Sequence, residues 1–300
     1  MTGTSMSNPF LPWIQAYRHH WETARAHAPQ PVLAASDGAD PAPADAPGAT
    51  SPLCLLFSPH PDDEALVGGI ALRLQQESGW RVVNVAVTLG SRLDRRAARW
   101  QELQASCRVL GFGCVGAGAA HGQGLDGVQW AQAEADTAHW QLARRSVLGL
   151  LTRLRPTVVV CPHELDGHDA HRATGRLVRE AIEQAPDLSL HLLLSEYWNT
   201  QLQPRLMLEL PDDCIARMML ATAQHVGEVT RHPYHLSLPA WLIDGARRGA
   251  ERVGAPGSAA SEITFAALYG WRLWRAGRWE DAPGCIQSRH QPIGDRFLPS

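Results

Sequence analysis

The 300-residue sequence predicts an α/β fold of the Rossmann-like type, a single domain in which helices cover both faces of a mostly parallel sheet. Two observations predict it. First, short apolar runs without polar alternation, typical of strands buried on both faces, take turns with longer segments of helical periodicity. Second, polar clusters directly follow two of these runs, at the strand ends where parallel α/β sheets place their ligands. The runs are LCLLF, RVVNVAVTL and PTVVVCP.

The N-terminal part of the chain is predicted to precede this domain. Residues 1–28 are expected to contain an amphipathic helix that docks onto the domain, because apolar side chains recur at helical spacing. Residues 29–51 are rich in Ala, Pro, Asp and Gly without periodicity, which predicts a flexible linker that buries too little apolar area to offset its ordering entropy. Residues 52–300 would then form the α/β domain. The recurring apolar positions are Phe10, Trp13, Ile14, Tyr17 and Trp21.

The domain begins with a strand at residues 53–57 and continues as alternating helices and strands. Its last predicted helix runs from Asp212 to about Val226, with Pro211 before it. The other predicted helices are 64–77, 96–111, 145–155 and 170–183, and the other predicted strands are 81–89, 156–162, 190–198 and 205–210.

Two further features of the domain are interpreted from composition. The segment 111–127 is rich in glycine but lacks the GK[ST] signature of a phosphate-binding loop, so we expect a mobile loop beside the active site. Three tryptophans near the C-terminus fit core positions better than a sugar-stacking surface, and they are Trp271, Trp274 and Trp279.

Composition excludes several classes of function. The formal net charge of −3 gives no broad basic field, which argues against a nucleic-acid partner. The six cysteines form no CxxC pair and are expected to be reduced, as in a cytoplasmic protein. No run of about 18 apolar residues occurs, so no membrane span is expected. A small-molecule substrate fits this composition best.

The first polar cluster is SPHPDDEALVGG, directly after the first strand. His60 and Asp63 are three residues apart where the strand ends and a helix begins, so one turn can aim both side chains at the same point. Imidazole and carboxylate ligands with an open position are typical of catalytic zinc. Acids at a helix start that follow Pro61 are also favoured by the helix dipole alone, but that explanation does not account for His60.

The second polar cluster follows the strand 156–162, about a hundred residues later. The fold places it at the same sheet edge as the first, so the two clusters are expected to form one pocket. His168 and His171 are three residues apart at a helix start, and both can face a metal, whereas His163 taken alone is better explained as structural. The cluster comprises His163, Asp166, His168, Asp169 and His171.

With these two motifs in place, the sequence resembles the PIG-L/LmbE-like zinc-dependent deacetylases. PHPDDE together with the later GHDAH carries the resemblance, which extends from about Leu53 to Glu262 and includes Arg99 and Glu102 followed by Leu110-Gly111. It implies a Rossmann-like hydrolase that removes an N-acetyl or other N-acyl group from an N-acetylglucosamine-type small molecule. The implied cofactor is Zn²⁺, or another divalent transition metal such as Fe²⁺.

The resemblance also implies a role for each motif residue. His60, Asp63 and His171 would bind the metal, and Asp62 would be the general base for the attacking water. His168 would stabilise the transition state, and Arg99 would contact the substrate. Independently, we expect Glu64 to orient one of these groups, because metal ligands are usually supported by such contacts.

The sequence departs from the family pattern at three places. The second motif reads His168-Asp169-Ala170-His171, which moves its acid by one position, so Asp169 either tunes a histidine or caps the helix. Asp166 occupies a position where some relatives have a tyrosine. The loop after the second strand reads TLGSRLDRR rather than the frequent Thr-x-Gly-Glu form. We expect the substrate to be set by the loops at 90–98, 112–135 and 226–260.

Other functions remain open from the residues. The main alternative is a thiol-conjugate amidase or an N-acyl hydrolase of a secondary-metabolite pathway. A magnesium phosphotransferase would prefer oxygen ligands to the histidines present. A non-catalytic sugar-binding protein would not require the complete motif set. Both an oligomer and a monomer are compatible with the sequence.

Overall fold

The computed structural model of the chain describes residues 10–26, 50–119, 122–255, 257 and 262–298. Most of the predicted linker 29–51 lies outside the described residues, as do the first nine residues of the predicted N-terminal helix. Helix and strand bounds below refer to this described part of the chain.

A parallel sheet forms the centre of the domain. Its first five strands lie in the order β3-β2-β1-β4-β5, the arrangement of doubly wound α/β folds, and every neighbouring pair among them is parallel. The predicted mostly parallel α/β fold is therefore confirmed. The five strands are β1 (Leu53–Ser58), β2 (Arg81–Ala86), β3 (Gly113–Gly116), β4 (Val158–Pro162) and β5 (Leu190–Ser195).

The C-terminal part of the chain widens this sheet beyond β5. The long strand β7 runs antiparallel to β5, pairs on its other side with β6 and forms a hairpin with β8, while β9 pairs with β6. The tail after residue 284 therefore contributes a strand to the sheet. These strands are β6 (Leu206–Glu209), β7 (Ala266–Arg275), β8 (Arg278–Asp281) and β9 (Cys285–Gln287).

Helices pack on both faces of the sheet. On one face, α3, α4, α8 and α10 share a core with strand residues such as Leu56. On the other, α6 and α7 pack against residues such as Leu55 and Phe57, because successive strand residues point to opposite faces. The helices are α1 (Leu11–Ala26), α2 (Asp63–Leu66), α3 (Gly69–Ser78), α4 (Arg96–Leu110), α5 (Trp130–Glu134), α6 (Ala138–Leu154), α7 (Asp169–Glu183), α8 (Asp212–Ala223), α9 (Val226–Val229) and α10 (Tyr234–Gly249).

Helix α1 stands apart from this packing. It has the predicted helical form, but none of its residues is buried, and its apolar side chains, including Trp13 and Tyr17, are exposed. Docking of this helix onto the domain stays a prediction. Among the described helices, none is both long enough and apolar enough to cross a lipid bilayer.

Sequence patterns missed several elements, among them β3 and α10. The glycine-rich segment 111–127, interpreted as a loop, contains the edge strand β3, whose side chains are too small to show a strand pattern. The segment 226–260, also interpreted as a loop, contains the helix α10, although Pro239 lies inside it. The predicted helix beginning at Asp212 is correct in position but ends at Ala223, three residues before Val226. Trp271 and Trp274 lie in the core, as expected, and Trp279 packs against its edge.

A buried histidine at the start of β5 predicts a pH-dependent stability. His191 Nδ1 accepts a hydrogen bond from Trp271 Nε1 at 3.0 Å, which requires that nitrogen to be unprotonated. Burial, with a smaller effect of the Arg275 charge, lowers the pKa of His191 to about 4. The unfolded chain, with a histidine pKa near 6.5, therefore binds the extra proton first. Stability contributed by neutral His191 is present above pH 6.5 and is lost as the pH falls toward 4.

We expect the free energy of unfolding to fall by about 2 kcal/mol more in the parent protein than in His191→Gln between pH 7 and pH 4.5. Denaturant unfolding at both pH values measures the difference, and the glutamine oxygen can still accept the Trp271 hydrogen bond. Equal losses in the two proteins would show that His191 titrates normally.

Candidate metal centre and active site

The two sequence motifs meet at one edge of the sheet. Strands β1 and β4 are parallel neighbours, so their carboxyl ends lie side by side. The first motif follows β1 and leads into α2, and the second follows β4 and leads into α7. Residues about a hundred positions apart in sequence therefore line one pocket.

Close backbone packing fixes the positions of the helices that carry the motifs. A Cβ atom at Gly175 of α7 would lie 2.4 Å from the carbonyl oxygen of Pro162, so only glycine lets α7 pack this tightly on the end of β4. Gly68, between α2 and α3, is similarly constrained, with a Cβ position 2.2 Å from the carbonyl oxygen of Glu64. The glycines at these two positions are therefore needed for packing, in addition to the polar residues of the motifs.

Three histidine side chains form a triangle at the bottom of the pocket. The ring centroids of His60 and His168 are 5.0 Å apart, those of His60 and His171 5.4 Å, and those of His168 and His171 5.3 Å. One ring nitrogen from each lies within 4.8 Å of the others. His171 is buried, whereas His60 is half-buried and His168 is exposed to the pocket. One small ion can therefore reach all three imidazoles.

Asp63 lies between two of these histidines. Its Oδ2 is 3.5 Å from His60 Nδ1 and 3.3 Å from His171 Nε2, and it accepts a hydrogen bond from the His60 backbone N–H at 2.9 Å. Burial alone would raise the pKa of Asp63, but His171 and His60 together outweigh it and hold that pKa below its ordinary range. For His171, burial would lower the pKa, and the Asp63 carboxylate raises it instead. The structure therefore brings together the three predicted ligands His60, Asp63 and His171.

This donor set fits a divalent transition metal. Imidazole and carboxylate donors are ligands that zinc and its neighbours in the periodic table share. The Nδ1 atom of His171 is buried and has no hydrogen-bond partner among the described residues. It lies 3.8 Å from Asp166 Oδ1, on the side of the ring where metal-bound histidines usually find a carboxylate. His60, His171 and either Asp63 or His168 could complete a three-ligand site.

Asp62 adopts an unusual backbone conformation beside this centre. Its φ of 126° lies in a region that residues with a side chain rarely occupy, and such strain is typical of functional sites. Burial, reinforced by the neighbouring Asp63 carboxylate, raises the pKa of Asp62 well above its ordinary value. A carboxyl group with a raised pKa can both accept and return a proton near neutral pH.

A fully buried network holds Asp62 in this conformation. Glu64 Oε2 accepts the Asp62 backbone N–H at 3.0 Å, while Oε1 accepts hydrogen bonds from Ser106 Oγ at 2.5 Å and from His225 Nε2 at 2.6 Å. Burial would lower the pKa of His225, but the Glu64 carboxylate raises it. Glu64 thus contacts both Asp62, as expected for a supporting residue, and His225, which was not identified from the sequence. His225 lies 161 positions from Glu64 and outside both motifs, so no local pattern identifies it.

His168 and Asp166 form the opposite wall. Asp166 Oδ1 accepts the backbone N–H of His168 at 2.9 Å, and its Oδ2 accepts that of Trp198 at 3.2 Å. Burial and the nearby His60 ring lower the pKa of His168, which favours the neutral imidazole. Asp166, which the sequence placed in the second polar cluster without assigning it a role, is therefore the carboxylate that orders this loop and faces His171.

The remaining predicted residues are more peripheral. Arg99 lines the pocket, where its Nη2 donates to the Pro61 carbonyl at 3.2 Å and its Nε lies 3.6 Å from Glu228 Oε1. Asp169 Oδ2 accepts the backbone N–H of Trp130 at 3.2 Å, a contact that ties α7 to α5. His163 is buried and its Nε2 lies 3.0 Å from the Asn199 carbonyl oxygen, consistent with its structural interpretation.

The pocket above the histidines has a volume of about 400 Å³. All three loops expected to set the substrate contribute to it, through residues such as Ser91, Gln129 and Arg231. This volume suits a small molecule, and the wall on the β2 side is mainly polar.

Comparison with known proteins gives the same fold and one family match. Residues 55–182 match the family model described as PIG-L, GlcNAc-PI de-N-acetylase. No curated protein matches the sequence. Among solved structures, a conserved protein from Thermus thermophilus is 21% identical, with a TM-score of 0.53 over 72% of this chain and 92% of that one.

Two further structures show how varied the chemistry on this fold is. The 4-carboxy-2-hydroxymuconate hydratase from Pseudomonas putida is 17% identical, with a TM-score of 0.54 over 73% of this chain and 95% of that one. The N,N'-diacetylchitobiose deacetylase from Pyrococcus horikoshii is 15% identical, with a TM-score of 0.51 over 90% and 94%. At these identities the similarity is evidence for a shared fold only. The reaction depends on the residues of the site.

Proposed function

We propose, from the match of residues 55–182 to the PIG-L family model and from the geometry of the site, that this chain is a metal-dependent amide hydrolase. The substrate class is an N-acetylated, or more generally N-acylated, small molecule that contains an N-acetylglucosamine-type sugar. A thiol-conjugate amidase or an N-acyl hydrolase of secondary metabolism is the alternative. The six free cysteines agree with a reducing compartment, and a cytoplasmic location is part of the proposal.

One observation carries the proposal. The two motifs bring three imidazoles and the Asp63 carboxylate together, and the raised pKa of the adjacent Asp62 supports its assignment as the proton carrier. Under the proposal, His60, Asp63 and His171 hold the ion, which the residues fit best as Zn²⁺. When bound, such an ion lowers the pKa of a water molecule toward about 7 and polarises an amide carbonyl.

Asp62 then moves the protons. Its carboxylate accepts a proton from the attacking water as the bond from oxygen to the carbonyl carbon forms. It returns that proton to the amine nitrogen as the carbon–nitrogen bond breaks, so the products are a carboxylic acid and a free amine. Glu64 and His225 keep Asp62 oriented during both transfers.

His168 stabilises the developing negative charge on the carbonyl oxygen. The neutral imidazole favoured by its surroundings still carries one N–H, which can donate a hydrogen bond. One such donor typically contributes about 3 kcal/mol to transition-state stabilisation. Arg99 and the polar residues beside it would bind the sugar.

The test is a substrate panel assayed with the metal-loaded protein. We expect acetate release from N-acetylglucosaminides, loss of that activity after treatment with a chelator, and recovery when zinc is added. Product analysis must identify the cleaved bond, because the fold also hosts a hydratase. Cleavage confined to thiol-conjugate or non-sugar amides would identify the alternative, and no amide cleavage with any divalent metal would contradict the proposal.

A further inference from the structure

A second cavity adjoins the catalytic pocket. It has a volume of about 460 Å³ and lies between the loop after β5 and the first half of α10. Leu238 and Trp241 of α10 line this cavity but not the catalytic pocket. The two cavities share four wall residues, Leu66, Tyr197, Trp198 and Tyr234. We call this second cavity the aromatic annex.

The walls of the annex are aromatic and packed against one another. The ring of Tyr197 lies 5.1 Å from that of Trp198, 5.6 Å from that of Trp241 and 6.1 Å from that of Tyr234. Trp198 also lies 6.1 Å from the His168 ring, which connects the annex to the metal centre. Trp198 remains 49% exposed, so a ligand can still cover it.

The polar side chains of the annex other than its tyrosines are already engaged. Ser237 Oγ donates to the Tyr234 carbonyl at 3.0 Å. Asp244 accepts hydrogen bonds from Arg247 at 2.9 Å and from Arg248 at 2.8 Å. Among these two side chains a sugar would therefore find few free partners for its hydroxyl groups, whereas a hydrocarbon group would bury apolar surface against Leu238, Trp241 and the ring faces.

Polar side chains line the part of the catalytic pocket that is not shared with the annex. They are Thr88, Ser91, Arg96, Arg99 and Glu228. An amide carbonyl carbon carries two substituents, the nitrogen of the amine part and the carbon of the acyl part. If these polar residues bind the sugar amine, the acyl part is left to the aromatic part of the pocket, which the annex adjoins.

We propose that the aromatic annex binds the hydrocarbon chain of the acyl group, so that the preferred substrates carry acyl chains longer than acetyl. This inference rests on the proposed amide hydrolase function and specifies its substrate class. The reaction is unchanged: water adds to the acyl carbon, and a fatty acid and a free amino sugar are released. The annex contributes binding energy and no chemical group.

The test is a series of N-acylglucosamines with acetyl, butanoyl, hexanoyl and octanoyl chains. Each fully buried methylene contributes ~0.8 kcal/mol, which corresponds to a factor of about four in kcat/KM. Because the annex is open to solvent, we expect a smaller gain of about twofold in kcat/KM per methylene. The octanoyl compound should therefore exceed the acetyl compound by more than tenfold. Trp241→Ala is expected to lower this octanoyl-to-acetyl ratio at least tenfold.

Two further variants keep the result interpretable. Ala240 is exposed and lines the annex, so Ala240→Trp fills it without disturbing the core and should also lower the ratio. Ile243 is exposed on the same helix but does not line the annex, and Ile243→Ala should leave the ratio as in the parent protein. A ratio unaffected by both annex variants would overturn the inference.

The outcomes separate this inference from the proposed function. Hydrolysis of the acetyl compound with no dependence on chain length, or with a preference for a longer sugar chain, would overturn the acyl-chain assignment alone. If no member is hydrolysed, the proposed function fails, and binding is measured from the fluorescence of the annex tryptophans. Binding that tightens with chain length in the parent protein but not in Ala240→Trp would still support an apolar subsite, and equal affinities would overturn it.

Discussion

Replacing Asp62 by Asn is expected to lower kcat for amide hydrolysis by about 10²–10⁴, the range that a positioned general acid–base group contributes. Asparagine has nearly the same shape and tolerates the positive φ of this residue, but it cannot accept the proton of the attacking water. Metal content and KM should change little, because Asp62 is not one of the proposed ligands. Steady-state kinetics together with elemental analysis of the purified variant measure these quantities.

Asp187→Asn serves as the matched control. Asp187 is exposed, pairs with Arg155 at 2.9 Å and does not line the catalytic pocket. The same chemical change there should leave kcat as in the parent protein. Near-normal activity of Asp62→Asn would assign proton transfer to another group, and loss of the metal would make Asp62 a ligand.

The second large effect distinguishes the two donor sets that the geometry allows. If Asp63 is the third ligand, Asp63→Ala should lose the metal on dialysis. Its metal affinity should fall by more than the 10–100-fold that removal of a residue supporting a ligand typically costs. His168→Ala should retain the metal and lose about 10²–10³ in kcat, the cost of removing one donor to the carbonyl oxygen.

Metal stoichiometry and metal affinity of the two variants, measured beside activity, decide this question. His163→Ala is the control for histidine removal, because His163 is bound to a backbone carbonyl and does not join the triangle. Metal loss in His168→Ala with retention in Asp63→Ala would reverse the two roles, and the site would then be a three-histidine centre.

Much of the fold and the centre of the site could be predicted from sequence because the information is local. Buried parallel strands such as β1 and β4 have continuous apolar runs, and their carboxyl ends must lie at the same edge. The metal-ligand spacing of His60 and Asp63 likewise lies within one turn. An apolar run or a three-residue spacing can be recognised without knowing which distant residues it contacts.

The parts that were missed depend on distant contacts or on weak patterns. His225 and Asp166 are recognisable only once Glu64 and His171 have been placed in space. The strand β3 has small residues and pairs on one side only, so its sequence shows little strand character. Helix α10, which supplies part of the aromatic annex, lies in a segment predicted to be a loop, and Pro239 inside it is a residue that usually ends helices.

The buried bond between Glu64 and His225 also bears on what could be transplanted from this protein. A fragment limited to residues 55–182 would contain the two motifs and still not be a portable catalytic module. It would lack β5, which leaves β4 as an open edge, and it would leave the Glu64 carboxylate without its imidazole, a kind of loss that typically costs about 3–5 kcal/mol. To transfer this site to another scaffold, the segment that packs on α2 must therefore provide a group that pairs with Glu64, as His225 does here.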